Sequence, residues 1–88
     1  FIKMQSEFQK ASEIVKKADP IKDVNTDNKL EFYSLFKQAN TGNINTNRPG
    51  MFDISGRAKW DSWKSKEGME KDDAMYKYIQ LTKEFYKM

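Results

Sequence analysis

The sequence predicts an all-α fold: a small four-helix bundle with one long connection between the second and third helices. Three observations carry this. Apolar residues recur at the i, i+3, i+4 spacing of a helix face in four separate stretches. Each stretch is bounded by residues that start or stop helices. Nowhere does the chain alternate polar and apolar residues as a half-buried strand does, and no repeat or low-complexity tract interrupts it.

The first helix is expected over about residues 3–18, with Phe1, Met4, Phe8, Ala11 and Val15 on one face. Ala18-Asp19-Pro20 ends it, because a residue before proline is pushed out of the α region. Asn25 or Thr26 can cap the second helix, with Asp27 favourable in its first turn. That helix is expected to run to about Asn40 and to bury Phe32, Leu35, Phe36 and Ala39. Residues 40–53, "NTGNINTNRPGMFD", are rich in turn formers and read as a long connection, with Ile44, Met51 and Phe52 expected as its internal anchors. Asp53 or Ser55 starts a third helix that carries Trp60 and Trp63 and stops near Gly68, a good left-handed terminator. The fourth begins around Lys71 to Asp73 and places Met75, Tyr78, Ile79, Thr82, Phe85 and Tyr86 on one stripe.

Eighty-eight residues make one domain, residues 1–88, with enough surface buried for one modest core. The chain has no Cys and no His. Disulfides and thiolate metal sites are thereby excluded, and the commonest general base and neutral metal ligand are missing. No nucleophile stands beside a base, and no phosphate-binding glycine loop is present. The expectation is a protein that is not an enzyme and holds no metal or cofactor. No stretch approaches a membrane span or a secretory leader, so the expected setting is cytoplasmic, without integral membrane insertion. Phe1 is not an initiating residue, so the natural chain is expected to begin upstream.

The net charge is +3 and aromatics make up 14% of residues, a mildly basic chain unusually rich in rings. Tyr33 and Lys37 are neighbours four apart at the edge of the second helix's core stripe. A ring beside a cation can stack a base and neutralise a phosphate; a half-buried tyrosine beside a solvated lysine gives the same spacing. Lys59 next to Trp60 repeats the theme, and Arg57 stands in a first turn where the helix dipole disfavours cations. Tyr78 faces the core with a hydroxyl that needs a partner, and Lys16 complements the end of the first helix. A nucleic-acid-binding domain is the competing reading, since lysines meet phosphates and bases stack on rings. Against it, 13 acids offset the 16 Lys and Arg, and no helix is heavily basic.

"FYSLFKQANTGNINTNRPGMFDISGRAKWDSW", Phe32 to Trp63, resembles the signature of the acyl-CoA-binding protein family. "EFQKASEIVKK" from Glu7 and "DDAMYKYIQLTKEFYK" from Asp73 resemble that family's first and last helices, so the likeness covers nearly the whole chain. It implies an up-down-down-up bundle that binds long-chain fatty acyl-CoA without chemistry and hands it to acyl-CoA-using enzymes, as a monomer with no nucleic-acid partner. The family's ligand contacts fall on Tyr33, Phe36, Lys37, Lys59 and Tyr78, with Lys16 more peripheral and Leu30, Ser34 and Leu35 along the second helix. The resemblance assigns Tyr33 and Lys37 to the adenine and the ribose 3′-phosphate, Lys59 to the phosphate cluster and Tyr78 to closing the nucleotide pocket. Three departures stand out: Phe36 where the family usually has Tyr, Arg57 where it has Lys, and Met69-Glu70 in place of a Thr-Ser-like cap. The segment 19–26 also reads as slightly longer than is usual in that family.

Overall fold

The computed structural model describes residues 2–17 and 25–86. They form four α-helices and, among the described residues, no strand: α1 (Ile2–Lys17), α2 (Thr26–Asn40), α3 (Ile54–Lys64) and α4 (Lys71–Phe85). Phe1 and the break expected at Ala18-Asp19-Pro20 lie outside the described residues.

The helix starts follow the local chemistry. Asn25 Oδ1 accepts the Asn28 N–H at 2.9 Å, and Asp53 Oδ1 accepts the Gly56 N–H at 2.9 Å. Each side chain satisfies a donor that a first turn leaves without a partner. Gly56 is needed beneath that cap, since a Cβ there would collide with the Asp53 carboxylate. α4 has no side-chain cap at Glu70, and Asp72 and Asp73 in its first turn complement the dipole instead. α3 stops at Lys64, earlier than expected; successive turns carry the chain from there to Gly68, whose φ of 91° only glycine adopts without strain.

α2 lies at the centre, packed against α3 on one side and α4 on the other, and α1 packs on α4. Phe32 on α2 meets Phe85 and Tyr86, whereas Gln38 at its other end reaches Met69, so α4 runs opposite to α2. α3 runs with α2: the start of α3 flanks Thr26 and its Trp63 reaches Gly42 just beyond α2. The core is Phe8, Ala11, Phe32, Leu35, Ala39, Ala74, Tyr78 and Ile79, with Met4 and Val15 packed at its edge. Phe8 and Phe32 each meet the Tyr78 ring nearly edge-on, at 5.2 and 5.4 Å, the orientation favoured by the ring quadrupoles.

Two expectations about burial are corrected. Phe36 is not core: it is 39% exposed, because its position on α2 falls at the mouth of a hollow lined by α1 residues and Tyr78 of α4. Met51 and Phe52 do not anchor the long connection; they are exposed. Polar bonds anchor it instead. Trp60 Nε1 donates to the Thr46 carbonyl at 2.9 Å, Trp63 Nε1 donates to the Gly42 carbonyl at 2.8 Å, and Arg48 grips Asp61 in a two-point bond at 3.0 and 2.9 Å. Gln38, fully buried, donates to Asn43 Oδ1 and to the Met69 carbonyl at 3.0 and 2.7 Å. It thereby ties the beginning of the connection to the α3–α4 turn.

Candidate functional site

The seam between α2 and α3 brings two aromatic rings and two lysines together. On α2, Tyr33 and Lys37 are one turn apart; on α3, Lys59 and Trp63 are one turn apart. Because the helices run alongside each other, the pairs meet reciprocally. Lys59 Nζ stands 5.7 Å over the Tyr33 ring, and Lys37 Nζ stands 4.8 Å over the Trp63 ring. Both contacts lie within cation–π range. The register is fixed by the Trp63–Gly42 bond and by Ser62 Oγ, which donates to the Leu30 carbonyl at 2.9 Å. The ion pairs among the described residues are Arg48–Asp61, Lys64–Glu67 and Lys66–Glu31. Lys37 and Lys59 therefore hold positive charge on aromatic faces with no carboxylate partner among the described residues, an arrangement suited to receiving an anion.

Beside this seam lies a groove of about 520 Å³, lined by Thr26, Lys29, Leu30, Tyr33 and, across it, Ile54, Ser55, Ala58 and Lys59. Its walls are mainly apolar, and the lysines among its lining are Lys29 and Lys59. A second hollow of about 400 Å³ opens on the other flank of α2, where Lys16, Phe36 and Tyr78 meet with Val15 and the polar Gln9, Ser12 and Glu13. Phe36 lies 5.9 Å from Phe8 and 6.2 Å from Tyr78, centroid to centroid, so its exposed ring is backed by two others. Burial pushes the Tyr78 phenol up to about 12, with the neighbouring Tyr86 adding to the shift, so at neutral pH it is a neutral hydroxyl. The ridge of α2 carrying Tyr33, Phe36 and Lys37 thus separates two hollows, the first more strongly apolar than the second.

Seven of the nine residues singled out from the sequence surround these hollows or the seam: Tyr33, Phe36, Lys37, Lys59, Tyr78, Lys16 and Leu30. The other two do not. Ser34 is fully buried, its hydroxyl donating to the Glu31 carbonyl at 3.0 Å, and Leu35 is 2% exposed in the core. Neither offers surface to a ligand; both serve packing, because they lie on the side of α2 turned towards the core. The two lysines do not meet over one ring: Lys59 covers Tyr33, while Lys37 sits one turn on and covers Trp63. Sequence reasoning missed Lys29, Ile54, Ser55 and Ala58. Their signal was present in the spacing, since Lys29 is one turn before Tyr33, Ser55 one turn before Lys59 and Ile54 one turn before Ala58.

A family model described as "Acyl CoA binding protein" matches residues 5–82. The acyl-CoA-binding protein homolog 3 of Caenorhabditis elegans is 47% identical over 85 residues, covering 94% of this chain and 73% of its own. The acyl-CoA-binding protein of Ricinus communis is 52% identical over 58 residues, 66% of this chain and 64% of its own. The crystal structure of Oryza sativa acyl-CoA-binding protein 2 superposes with a TM-score of 0.88 at 38% identity, covering 96% of this chain and 89% of that one.

Proposed function

The chain belongs to the acyl-CoA-binding protein family, and from that premise we propose that it is a non-catalytic carrier that binds long-chain fatty acyl-CoA thioesters and delivers them to lipid-metabolising enzymes. The observation that carries the reading is the pair of lysines Lys37 and Lys59, set over aromatic rings and without carboxylate partners among the described residues, with Lys59 also lining an apolar groove. An acyl-CoA has the matching halves: an anionic, aromatic head and an apolar tail.

The head sits along the α2 ridge. Adenine packs on the Tyr33 and Phe36 rings, and the 3′-phosphate takes charge-assisted hydrogen bonds from Lys37, with Lys59 joining the phosphate cluster. Tyr78, held neutral, closes the nucleotide pocket behind Phe36, and Lys16 adds positive charge at its edge. The tail lies in the groove against Leu30, Tyr33, Ile54 and Ala58, gaining about 0.8 kcal/mol per methylene removed from water. The thioester is held without turnover because none of the groups assigned to it is a nucleophile paired with a base. The carrier works as a cytoplasmic monomer. No helix among the described residues is long and apolar enough to cross a membrane.

An NMR titration of ¹⁵N-labelled protein tests the reading. A long-chain acyl-CoA is expected to shift the amides of Tyr33, Phe36, Lys37, Lys59 and Tyr78 together, and free CoA a subset of them. A single-stranded oligonucleotide should leave them in place. Shifts confined to other residues, or an oligonucleotide response at these sites, would refute it.

A further inference from the structure

The connection that leads into α3 ends in apolar side chains that the fold leaves outside. Met51, Phe52 and Ile54 are 68%, 93% and 79% exposed. Single exposed apolar residues are ordinary on a soluble protein; three large ones within four positions mark a contact surface. The backbone beneath them is held in a fixed turn. The Asp53 N–H donates to the Gly50 carbonyl at 3.0 Å, and the Asp53 carboxylate caps α3. The side chains therefore project from a shaped tip.

Ile54 belongs both to this tip and to the lining of the groove, so the tip and the groove mouth are continuous. The same mouth carries Lys29 and Lys59, both exposed and neither in an ion pair among the described residues. Of the acids near them in sequence, Asp27 and Asp53 sit at the starts of α2 and α3, where the helix dipoles offset their charge, and Glu31 and Asp61 are paired with Lys66 and Arg48. An apolar tip continuous with a groove mouth that carries two lysines suits the boundary of an anionic bilayer: Phe, Met and Ile enter below the headgroups while the ammonium groups stay at phosphate level.

We propose that Met51, Phe52 and Ile54 dock the protein peripherally on an anionic lipid surface, turning the mouth of the α2–α3 groove towards the acyl phase. Docking itself stands on the tip; its use in loading the groove rests on the carrier reading above. The test is flotation with phosphatidylcholine vesicles made with and without phosphatidylserine, alongside calorimetry with a soluble acyl-CoA on the same samples. Wild type is expected to float with the phosphatidylserine vesicles. Phe52→Glu and Met51→Glu should each weaken that partition by about tenfold, the scale set by keeping one large apolar side chain out of an apolar phase. Binding of acyl-CoA in solution should be unchanged, which separates this result from any failure of the carrier reading. Wild type that stays in solution, or a Phe52→Glu variant that floats equally well, overturns the proposal. So does a wild type that elutes as a dimer without floating while the variant elutes as a monomer, which would make the tip a self-association surface.

Discussion

Replacing Lys37 by Met keeps most of the side-chain stem and removes only the ammonium group, so its two contributions can be read separately. In the free protein Lys37 Nζ stands 4.8 Å over the Trp63 ring. A partly exposed cation–π contact contributes about 0.5–1 kcal/mol, which lowers Tm by about 2–8 °C in a domain of this size. In the complex the ammonium meets a phosphate. Hydrogen bonds to charged groups contribute about 1.5–3 kcal/mol, or roughly ten- to hundredfold in Kd. The loss should shrink with salt, because the screening length falls from about 10 Å at 0.1 M to about 3 Å at 1 M. A free fatty acid of the same chain length has no phosphate, and its affinity should not change. The assay is calorimetric titration of wild type and Lys37→Met with both ligands at two ionic strengths, together with thermal melting. Equal weakening for acyl-CoA and fatty acid, or a loss indifferent to salt, would refute the phosphate assignment.

Three further substitutions probe separate parts of the account. Tyr33→Ala removes a half-buried ring and should weaken binding of the CoA head by about 1–3 kcal/mol, the scale of base–aromatic stacking, while circular dichroism shows intact helices; a melted variant would make Tyr33 a core residue instead. Tyr78 binds its proton more tightly folded than unfolded, so its contribution is fully present below pH 10.0 and is lost as pH rises towards about 12. Denaturant unfolding across that window should show falling stability in wild type and a flatter profile in Tyr78→Phe. Gln38→Met deletes the bonds to Asn43 and the Met69 carbonyl and should cost about 1–3 kcal/mol in denaturant unfolding, with little change in acyl-CoA affinity.

The parts of the fold written in local chemistry were legible. The Asn25 and Asp53 caps, the Phe8–Ala11 stripe and the turn at Gly68 each follow from neighbouring residues and backbone preference. The parts that depend on partners distant in sequence were not. Periodicity assigned Phe36 to the core because it lies near Phe32 and Leu35 on α2; only the placement of α1 and α4 leaves its ring in the open. Hydrophobicity nominated Met51 and Phe52 as anchors of the long connection, whereas the indole N–H groups of Trp60 and Trp63 hold it through backbone carbonyls. Donors of that kind carry no spacing signature. Ser34 and Gln38 are buried polar residues for the same reason: each finds a bond that no apolar pattern announces.

Pairing of Tyr33 with Lys37 at the edge of α2 was legible as a candidate, and the resemblance to a family ranked it above a plain surface lysine. That Lys59 comes to cover Tyr33, and Lys37 to cover Trp63, depends on the register between α2 and α3. That register is set by the Trp63–Gly42 and Ser62–Leu30 bonds and was not legible in either helix alone.

The most direct test of the central claim is a calorimetric titration of the protein with a long-chain acyl-CoA, run beside free CoA. The account predicts one-to-one binding of the thioester and much weaker binding of CoA alone, because the groove contributes through every methylene it buries. Equal affinity for the two, or no binding of the thioester, would contradict it.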